Sequence, residues 1–438
     1  MLFEQSIANY LSLQPYEYIN TEIAEDGKQR LLHLKSIKET EDVQCPFCNG
    51  HVHICGNYSM RLRDMPVYPG TRQDVEANYH RYRCRKCSRT FSEEIPFKYP
   101  ETRITERAAS WISTFLRFNI PISTVQRITG VHWDTIKHIH RQIMDEAIAD
   151  RRRKFLREGY RPKHLAVDEF AIHKGHRYAT CVMDLDTGDV LWVGKGRTKA
   201  DFSRFFQEID MNYLSEVEAV AMDMNASYNL LVAEHLPKAR IVYDRYHMQA
   251  QFAKDVLGVV RLEEARKHSA QAKKMDEEGF PKAEVKAEKR LYSEVKGARW
   301  ILLAGRDSLS EEKSAALMKI LDDHADLSLC HAMKEEMSRL FDLRDAVEAR
   351  TGWEAWFEGA KASGIPALAR FAELKEKRID GLVAHASHPI STGKLEGFNN
   401  RIKVAKRIGY GYRDEDYFFT LIQFFSIPSV KYNSPKKT

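Results

Sequence analysis

The sequence predicts an α/β protein built on a mixed five-stranded sheet, with smaller modules before the sheet and a large all-helical insertion within it. Residues 164–196 divide into three β-rich runs, His164–Ile172, Tyr178–Leu185 and Val190–Val193, with turn residues between them. This pattern is typical of an antiparallel meander. Two short apolar strands follow, at Val217–Met222 and Ala239–Tyr243, and a helix-like segment precedes each of them.

Two acidic residues stand out in these strands. Asp168 lies inside the first strand, and Asp223 directly follows the fourth. Three antiparallel strands, helix, strand, helix and strand is the order of the ribonuclease H-like fold, in which the middle of strand one lies beside the end of strand four. Two carboxylates that close repel each other unless a cation lies between them, and their oxygens suit Mg²⁺ or Mn²⁺. The alternative is that Asp168 is a satisfied structural acid.

A third carboxylate is needed to complete a site for two such ions. The candidate is Glu396 in the segment STGKLEGFNNRIKVAKR. If this segment is a helix, one face carries Glu396, Asn399, Asn400, Lys403 and Arg407. One acid among amides and bases suits a metal ligand flanked by phosphate contacts. The predicted DNA-contacting residues on this helix are Asn400, Arg401, Lys403 and Arg407.

Two C-x-x-C pairs indicate a zinc ribbon over residues 45–100. Cys45 and Cys48 form the first pair, and Cys84 and Cys87 form the second. Four thiolates at this spacing predict one structural, tetrahedral Zn²⁺. The module is rich in arginine, which indicates contact with DNA; the alternative is a solvated charged surface.

Residues 101–150 predict a helical helix-turn-helix domain. Thr105–Asn119 forms one helix with Thr105 as N-cap, Ser123–Thr129 forms a short helix, and a longer helix starts at Trp133 after a glycine turn. The second helix of such a motif reads DNA bases with its N-terminal residues. The predicted base-reading residues are His132, Asp134, Thr135, Lys137 and His138, whereas Trp133, Ile136 and Ile139 are predicted to be core.

The remaining segments complete the predicted domain organisation. Residues 1–44 form an N-terminal segment with a short helix at Phe3–Leu11 and a hairpin that turns at Glu25–Lys28. Residues 151–163 form a basic linker along a phosphate backbone, with Arg151, Arg152 and Arg153 as DNA contacts. The core spans 164–251 and 386–427, the helical insertion spans 252–385, and 428–438 form a disordered tail. Trp300, in the insertion, is predicted to be buried, with stacking on a DNA base as the alternative.

The composition is that of an ordinary globular protein, with 43% hydrophobic and 30% charged residues. The net charge of +6 and a pI near 8.7 are compatible with nucleic acid without arguing for it. No apolar run is long enough to cross a membrane, and the N-terminus lacks the pattern of a secretory signal. We therefore expect a cytoplasmic, nucleoid-associated protein without membrane contact, whose cysteines are thiols or metal ligands.

The motifs together resemble one family. Asp168, Asp223 and Glu396 resemble the acidic triad of DDE transposases, and the chain from about Cys45 to Phe425 resembles the bacterial insertion-sequence transposases of the ISL-three family. The matching pieces, in order, are the zinc ribbon, the helix-turn-helix, VDEFA, AMDMNASY, YDRYH and GKLEGFNNRIK. Their order and spacing are far more specific than any single piece.

The resemblance implies a DNA transposase. Its ribbon and helix-turn-helix would bind the terminal inverted repeats of an element as double-stranded DNA. Its core would cut and join strands by phosphoryl transfer with two Mg²⁺ or Mn²⁺ ions per active site. A homodimer or larger assembly would hold both element ends and the target DNA. The resemblance also implies an auxiliary role for the D-x-x-H pair Asp244 and His247, for which a structural hydrogen bond is the alternative.

Two other functions remain compatible with the sequence. One is a non-catalytic DNA-binding regulator or domesticated transposase, against which the intact triad argues. The other is a metal-dependent nuclease that cuts DNA without joining it.

Overall fold

The computed structural model describes residues 15–68, 70–118, 120–173, 177–304, 309–409 and 411–428. The predicted helix Phe3–Leu11 and all but the first residue of the predicted tail lie outside these ranges. The chain divides into two compact units, Met1–Ala149 and Asp150–Thr438. Among the described residues, no helix is long and apolar enough to cross a membrane.

The first unit contains a five-stranded sheet. Its strands are β1 (Tyr16–Ile23), β2 (Gln29–Ser36), β3 (Val52–Asp64), β4 (Arg72–Cys84) and β5 (Thr90–Ser92), and a 3₁₀ turn at Thr40–Asp42 lies between β2 and β3. The order is β1-β2-β4-β3, and β5 also pairs with β4. The hairpin predicted at Glu25–Lys28 is present, but β2 pairs with β4, so the N-terminal segment extends the ribbon's sheet and is not separate from it. Burial of Leu32 and Leu34 against Leu62 and Val75 explains this arrangement.

Three helices follow the sheet: α1 (Glu106–Arg117), α2 (Ile122–Thr129) and α3 (Trp133–Glu158). Thr105 caps α1 as predicted, since its side chain accepts a hydrogen bond from the backbone N–H of Ala108. Gly130 ends α2 with a φ of 65°, a conformation that favours glycine. Ile136 and Ile139 are buried as predicted, but Trp133 is 39% exposed, which corrects its assignment to the core.

Helix α3 corrects the predicted linker at residues 151–163. The basic run that begins at Arg151 continues the helix to Glu158. Since no proline or glycine interrupts residues 133–158, nothing in the sequence stops the helix earlier.

The second unit contains the predicted mixed sheet. Its strands are β6 (His164–His173), β7 (Arg177–Asp184), β8 (Val190–Lys195), β9 (Ala219–Met222) and β10 (Arg240–Tyr243). The order is β10-β9-β6-β7-β8. Strands β6, β7 and β8 form the predicted antiparallel meander, and β9 and β10 run parallel to β6. Helices α4 (Lys199–Glu208) and α5 (Ala226–His235) make the two crossover connections.

The rest of the second unit is helical. In chain order the helices are α6 (Arg245–Phe252), a π-helical turn (Ala253–Leu257), α7 (Gly258–Glu277), α8 (Lys282–Gly297), α9 (Arg299–Leu303), α10 (Glu311–Asp323), α11 (Ala325–Asp342), α12 (Ala346–Ala362), α13 (Pro366–Glu376), α14 (Ile379–Ser387), α15 (Gly393–Ile408) and α16 (Glu415–Ser426). The insertion shares one buried cluster with the sheet, because Tyr243 of β10 and Phe252 of α6 pack with Trp353 and Phe371. Trp300 is 73% exposed beneath the guanidinium of Arg299, which corrects the prediction that it is core.

The two faces of the second sheet are covered differently. Leu165 and Val167 of β6 pack against Phe202 of α4 and Leu231 of α5 on one face. Because side chains alternate along a strand, Asp168 projects from the other face, where α15 lies. Glu169, the next residue, points to the opposite face, where it contacts the amide of Asn225, the N-cap of α5.

Candidate active site and metal centre

Three neighbouring parallel strands carry acidic residues at the same level: Asp168 lies inside β6, and Asp223 and Asp244 directly follow β9 and β10. In the pairing of β6 with β9, Ala166 lies opposite Ala221, and two residues farther along are Asp168 and Asp223. Strand β10 pairs with β9 through Tyr243 and Met222, so Asp244 comes next to Asp223. Parallel strands in register point equivalent residues to the same face. The sheet therefore brings Asp168 and Asp223 together as predicted.

Asp168 is partly buried and held in place by hydrogen bonds. The amide Nδ2 of Asn399 on α15 donates to its Oδ2 at 2.8 Å, and the backbone N–H of Glu169 donates to its Oδ1 at 2.8 Å. Burial raises the pKa of the Asp168 carboxyl, and the nearby charges of Asp223 and Asp244 raise it further. An acid whose charge is disfavoured in this way gains from a nearby cation.

Asp223 is more open, with its side chain 45% exposed. The backbone N–H of Met224 donates to its Oδ1 at 2.6 Å. Nδ1 of His247 lies 3.9 Å from its Oδ2, and the amide of Gln251 lies 3.5 Å from its Oδ1. This carboxylate therefore has free access to solvent and to a ligand.

Asp244 joins two parts of the chain through hydrogen bonds to the backbone. Its Oδ1 accepts a hydrogen bond from the backbone N–H of His247, as the N-cap of α6. Its Oδ2 accepts a bond of 2.7 Å from the backbone N–H of Thr392, the residue that precedes α15. The buried carboxylate thus joins the end of β10 to the start of the helix that carries Asn399 and Glu396.

Glu396 lies in the first turn of α15 and is exposed. In the described part of the chain, the carboxylates of Asp168, Asp223 and Glu396 do not form a group whose oxygens all lie within 4.8 Å of one another. The helix instead presents Asn399, one turn farther on, to Asp168. Oδ1 of Asn399 is buried at this position, and no hydrogen-bond partner for it is found among the described residues.

Sequence reasoning missed a basic group beside Asp223. Lys375 on α13 donates to the side-chain oxygen of Gln251, and Arg378 donates to the backbone carbonyl of Met224. Burial lowers the pKa of the Lys375 ammonium, and the charge of Arg378 lowers it further, whereas Asp223 raises it. These residues belong to no motif, and only the packing of the insertion brings them to the sheet.

The four predicted cysteines cluster in the first unit. Sγ of Cys45 lies 3.6 Å from Sγ of Cys87, and Sγ of Cys48 lies 3.5 Å from Sγ of Cys84. Tetrahedral zinc with bonds of about 2.3 Å would hold its sulfurs about 3.8 Å apart. Backbone N–H groups of Cys87 and Lys86 lower the pKa of the Cys84 thiol to about 6, which favours the thiolate.

The backbone at Gly50 packs closely against the cysteine cluster. A Cβ added at Gly50 would lie 3.2 Å from Sγ of Cys84 and 2.9 Å from Cβ of Lys86. The described structure thus brings four thiol groups close enough together to hold one metal ion, which is compatible with structural zinc.

Comparison with known proteins identifies the family. The family model described as a transposase, of the DDE ISL3 type, matches residues 165–422. The chain belongs to this transposase family. The transposase for insertion sequence element IS1001 of Bordetella parapertussis is 33% identical over 363 residues, 83% of each chain. The transposases for element IS1557 of two Mycobacterium tuberculosis strains are 26% identical over 255 residues, 57% of each chain.

The family confirms the resemblance on which the functional prediction rested. The protein is a DDE-type transposase of insertion-sequence type, and therefore an enzyme. The matched range contains Asp168, Asp223 and Glu396 together with the whole helical insertion. The sheet, site and insertion described above thus belong to the transposase domain.

The predicted DNA-contacting residues of the transposase differ in their surroundings. Arg151 does not fit the role, because its guanidinium pairs with the buried carboxylate of Asp189 at 2.7 Å and lies over the ring of Phe155. The side chains of His132, Asp134, Arg152, Arg153, Asn400, Arg401, Lys403 and Arg407 are exposed, and those of Thr135, Lys137 and His138 are partly exposed.

Proposed function

We propose that this transposase cuts DNA at the terminal inverted repeats of its element and joins the freed 3′-hydroxyl ends to target DNA. In this proposal its core has the ribonuclease H-like fold, and Asp168, Asp223 and Glu396 are its catalytic acids. The supporting observation is that Asp168 inside β6 and Asp223 directly after the adjacent parallel strand β9 lie at the same level and on the same face. This is the arrangement that a shared divalent cation requires.

The residues fit Mg²⁺ or Mn²⁺, which prefer oxygen ligands. Asp168 and Asp223 supply carboxylates, and the buried Oδ1 of Asn399 supplies an acceptor for a metal-bound water. Glu396 would complete the set from the first turn of α15, through a rotation of its exposed side chain. Two ions bound here would neutralise phosphate charge and lower the pKa of a water nucleophile.

The chain's own groups would then position the reactants. Asn399 holds the carboxylate of Asp168 in one orientation, and Asp244 fixes the start of α15. Lys403, two turns after Glu396, is exposed and would contact a DNA phosphate. His247, close to Asp223, would hold a water or the leaving oxygen by hydrogen bonding. Fixed geometry of this kind accounts for much of the rate in phosphoryl transfer.

The first unit would supply recognition of the element ends. A zinc ion held by the four cysteines would fix the ribbon, and the exposed N-terminal end of α3 would enter the major groove. A homodimer or larger assembly on DNA would hold both ends. Because its substrate would be chromosomal DNA, we expect the protein to act at the bacterial nucleoid in the cytoplasm.

A gel assay with DNA that carries the repeats flanking the gene tests this proposal. Nicking at the repeat boundary in Mg²⁺ or Mn²⁺ is expected from the wild type and is expected to be lost in Glu396→Gln. Glu348→Gln is the matched control, because Glu348 is also exposed in the first turn of a helix. Binding without cleavage in all three proteins would favour a DNA-binding regulator. Cleavage without joining of a labelled 3′-hydroxyl end would favour a nuclease.

A further inference from the structure

We propose that His164, Glu218 and His388 form a second metal site in the catalytic unit, which takes a divalent transition-metal ion such as Zn²⁺. Each residue offers a ligand atom, and these three atoms lie within 4.8 Å of one another. Two imidazoles and one carboxylate are a ligand set that zinc uses. These residues belong neither to the predicted acids nor to the cysteine cluster.

Asp186 orients the imidazole of His164 through a hydrogen bond. Nδ1 of His164 lies 2.9 Å from a carboxylate oxygen of Asp186, and the backbone N–H groups of Lys163 and His164 donate to its other oxygen at 3.3 Å. Because a carboxylate can only accept a hydrogen bond, Nδ1 of His164 is the donor in this contact, and Nε2 is the ring nitrogen that would bind the metal. A histidine that binds a metal is commonly held by a carboxylate in this way.

The other two ligands are within reach of the same ion. The rings of His164 and His388 lie 6.2 Å apart between centroids. Zinc with bonds of about 2.1 Å would draw its ligands to about 3.4 Å apart. The side chain of Glu218 is exposed and can therefore move toward the two imidazoles to reach this separation.

Lys163 does not block the site. Its ammonium lies 2.9 Å from Oε1 of Glu218, and both side chains are about half exposed. Exposed ion pairs of this kind contribute little, and the second carboxylate oxygen of Glu218 stays available for a metal.

The position of the site suggests its purpose. His164 begins β6, four residues before Asp168. Glu218 directly precedes β9, the strand that Asp223 follows. His388 lies between α14 and α15, ahead of Glu396. One ion here would join the three chain segments that carry the proposed catalytic acids, at the point where the insertion returns to the sheet. This purpose rests on the proposed function, whereas the metal site itself does not.

Zinc stoichiometry on the full-length, untagged protein tests the site. The protein is equilibrated with a small excess of Zn²⁺ in the presence of excess Mg²⁺, which occupies the acids, and is then desalted and measured by atomic emission. About two zinc ions per chain are expected in the wild type and about one in His388→Gln. The control His132→Ala removes an exposed imidazole elsewhere and should keep about two.

A mercurial thiol reagent separates the two sites, because it releases zinc only from thiolates. One zinc per chain should be released by the reagent and the other only by a chelator, and the second should be missing in His388→Gln. Asp186→Asn should retain this zinc with about tenfold weaker affinity. One zinc in the wild type, or equal zinc in the wild type and His388→Gln, would overturn the proposal. Glu396→Gln should keep both zinc ions whether or not Glu396 takes part in catalysis. The zinc count therefore tests the metal site separately from the proposed function.

Discussion

Replacement of Asp244 by asparagine tests how α15 is positioned. The carboxylate is 2% exposed and accepts two backbone hydrogen bonds, from His247 at 3.2 Å and from Thr392 at 2.7 Å. Asparagine keeps one oxygen, which suits the N-cap position about as well as aspartate does. Its NH₂ group then faces the N–H of Thr392, where it cannot accept a hydrogen bond.

The expected loss in the free energy of unfolding follows from replacing the accepting oxygen by the NH₂ group. Loss of a bond to a charged acceptor costs about 1.5–3 kcal/mol, and the buried N–H left without a partner adds to this cost. We therefore expect Asp244→Asn to lower the free energy of unfolding by about 2–4 kcal/mol. We also expect cleavage to slow by about 10- to 100-fold, because the start of α15 sets the positions of Glu396 and Asn399.

The assay compares urea unfolding with the rate of nicking at the repeat boundary. Asp345→Asn is the matched control, because Asp345 is exposed and caps α12 by accepting a hydrogen bond from the backbone N–H of Glu348. It should change neither quantity appreciably. If Asp244→Asn is destabilised but cleaves at the wild-type rate, the positioning argument is refuted. If Asp244→Asn and Asp345→Asn lose equal stability and equal cleavage rate, the effect is a general one of helix caps.

Three further results are expected. Asn399→Ala removes the 2.8 Å bond to Asp168 and should raise the Mg²⁺ concentration for half-maximal cleavage by about tenfold, with DNA binding unchanged in a gel-shift assay. Burial lowers the pKa of His140 from 6.5 to about 4, because it disfavours the charged imidazole. Below pH 6.5 the unfolded chain therefore binds a proton that the folded protein does not. The free energy of unfolding should be about 2 kcal/mol lower at about pH 5 than above pH 6.5. Hydrogen exchange in α1 and α3 should show this loss in the wild type and not in His140→Leu. Cys84→Ser should abolish both zinc binding by the ribbon and DNA binding, whereas Cys55→Ser, an exposed cysteine outside the cluster, should retain both.

The sequence predicted the second sheet well because its signals are local. Apolar runs of strand length, turn residues and intervening helical segments define β6 to β10, and the alternation along β6 separates Asp168 from Glu169. The cysteine spacing likewise predicted a cluster that the structure contains. The order of these pieces was enough for the family, which the comparisons confirm.

Several predictions about single side chains failed because they depend on distant partners. Trp300 is exposed although three apolar residues, Ile301–Leu303, follow it, and of these the insertion buries Leu302. Arg151 pairs with Asp189, a residue that no local pattern connects to it. Strands β1 and β2 join the ribbon's sheet through β4, and pairing between remote strands is not encoded in a short window.

By itself, the sequence determined the transposase family and predicted which residues carry its chemistry: two acids at strand positions, a third acid on a basic helix and four cysteines in two pairs. Tertiary structure alone decided how they meet. Asn399, not Glu396, bonds to Asp168, and the start of the helix that carries both residues is held by the bond between Asp244 and Thr392. His164, Glu218 and His388 come from three separate chain segments and meet only in the folded protein. Periodicity reports the face of an element, but the partner across that face depends on how the whole chain packs.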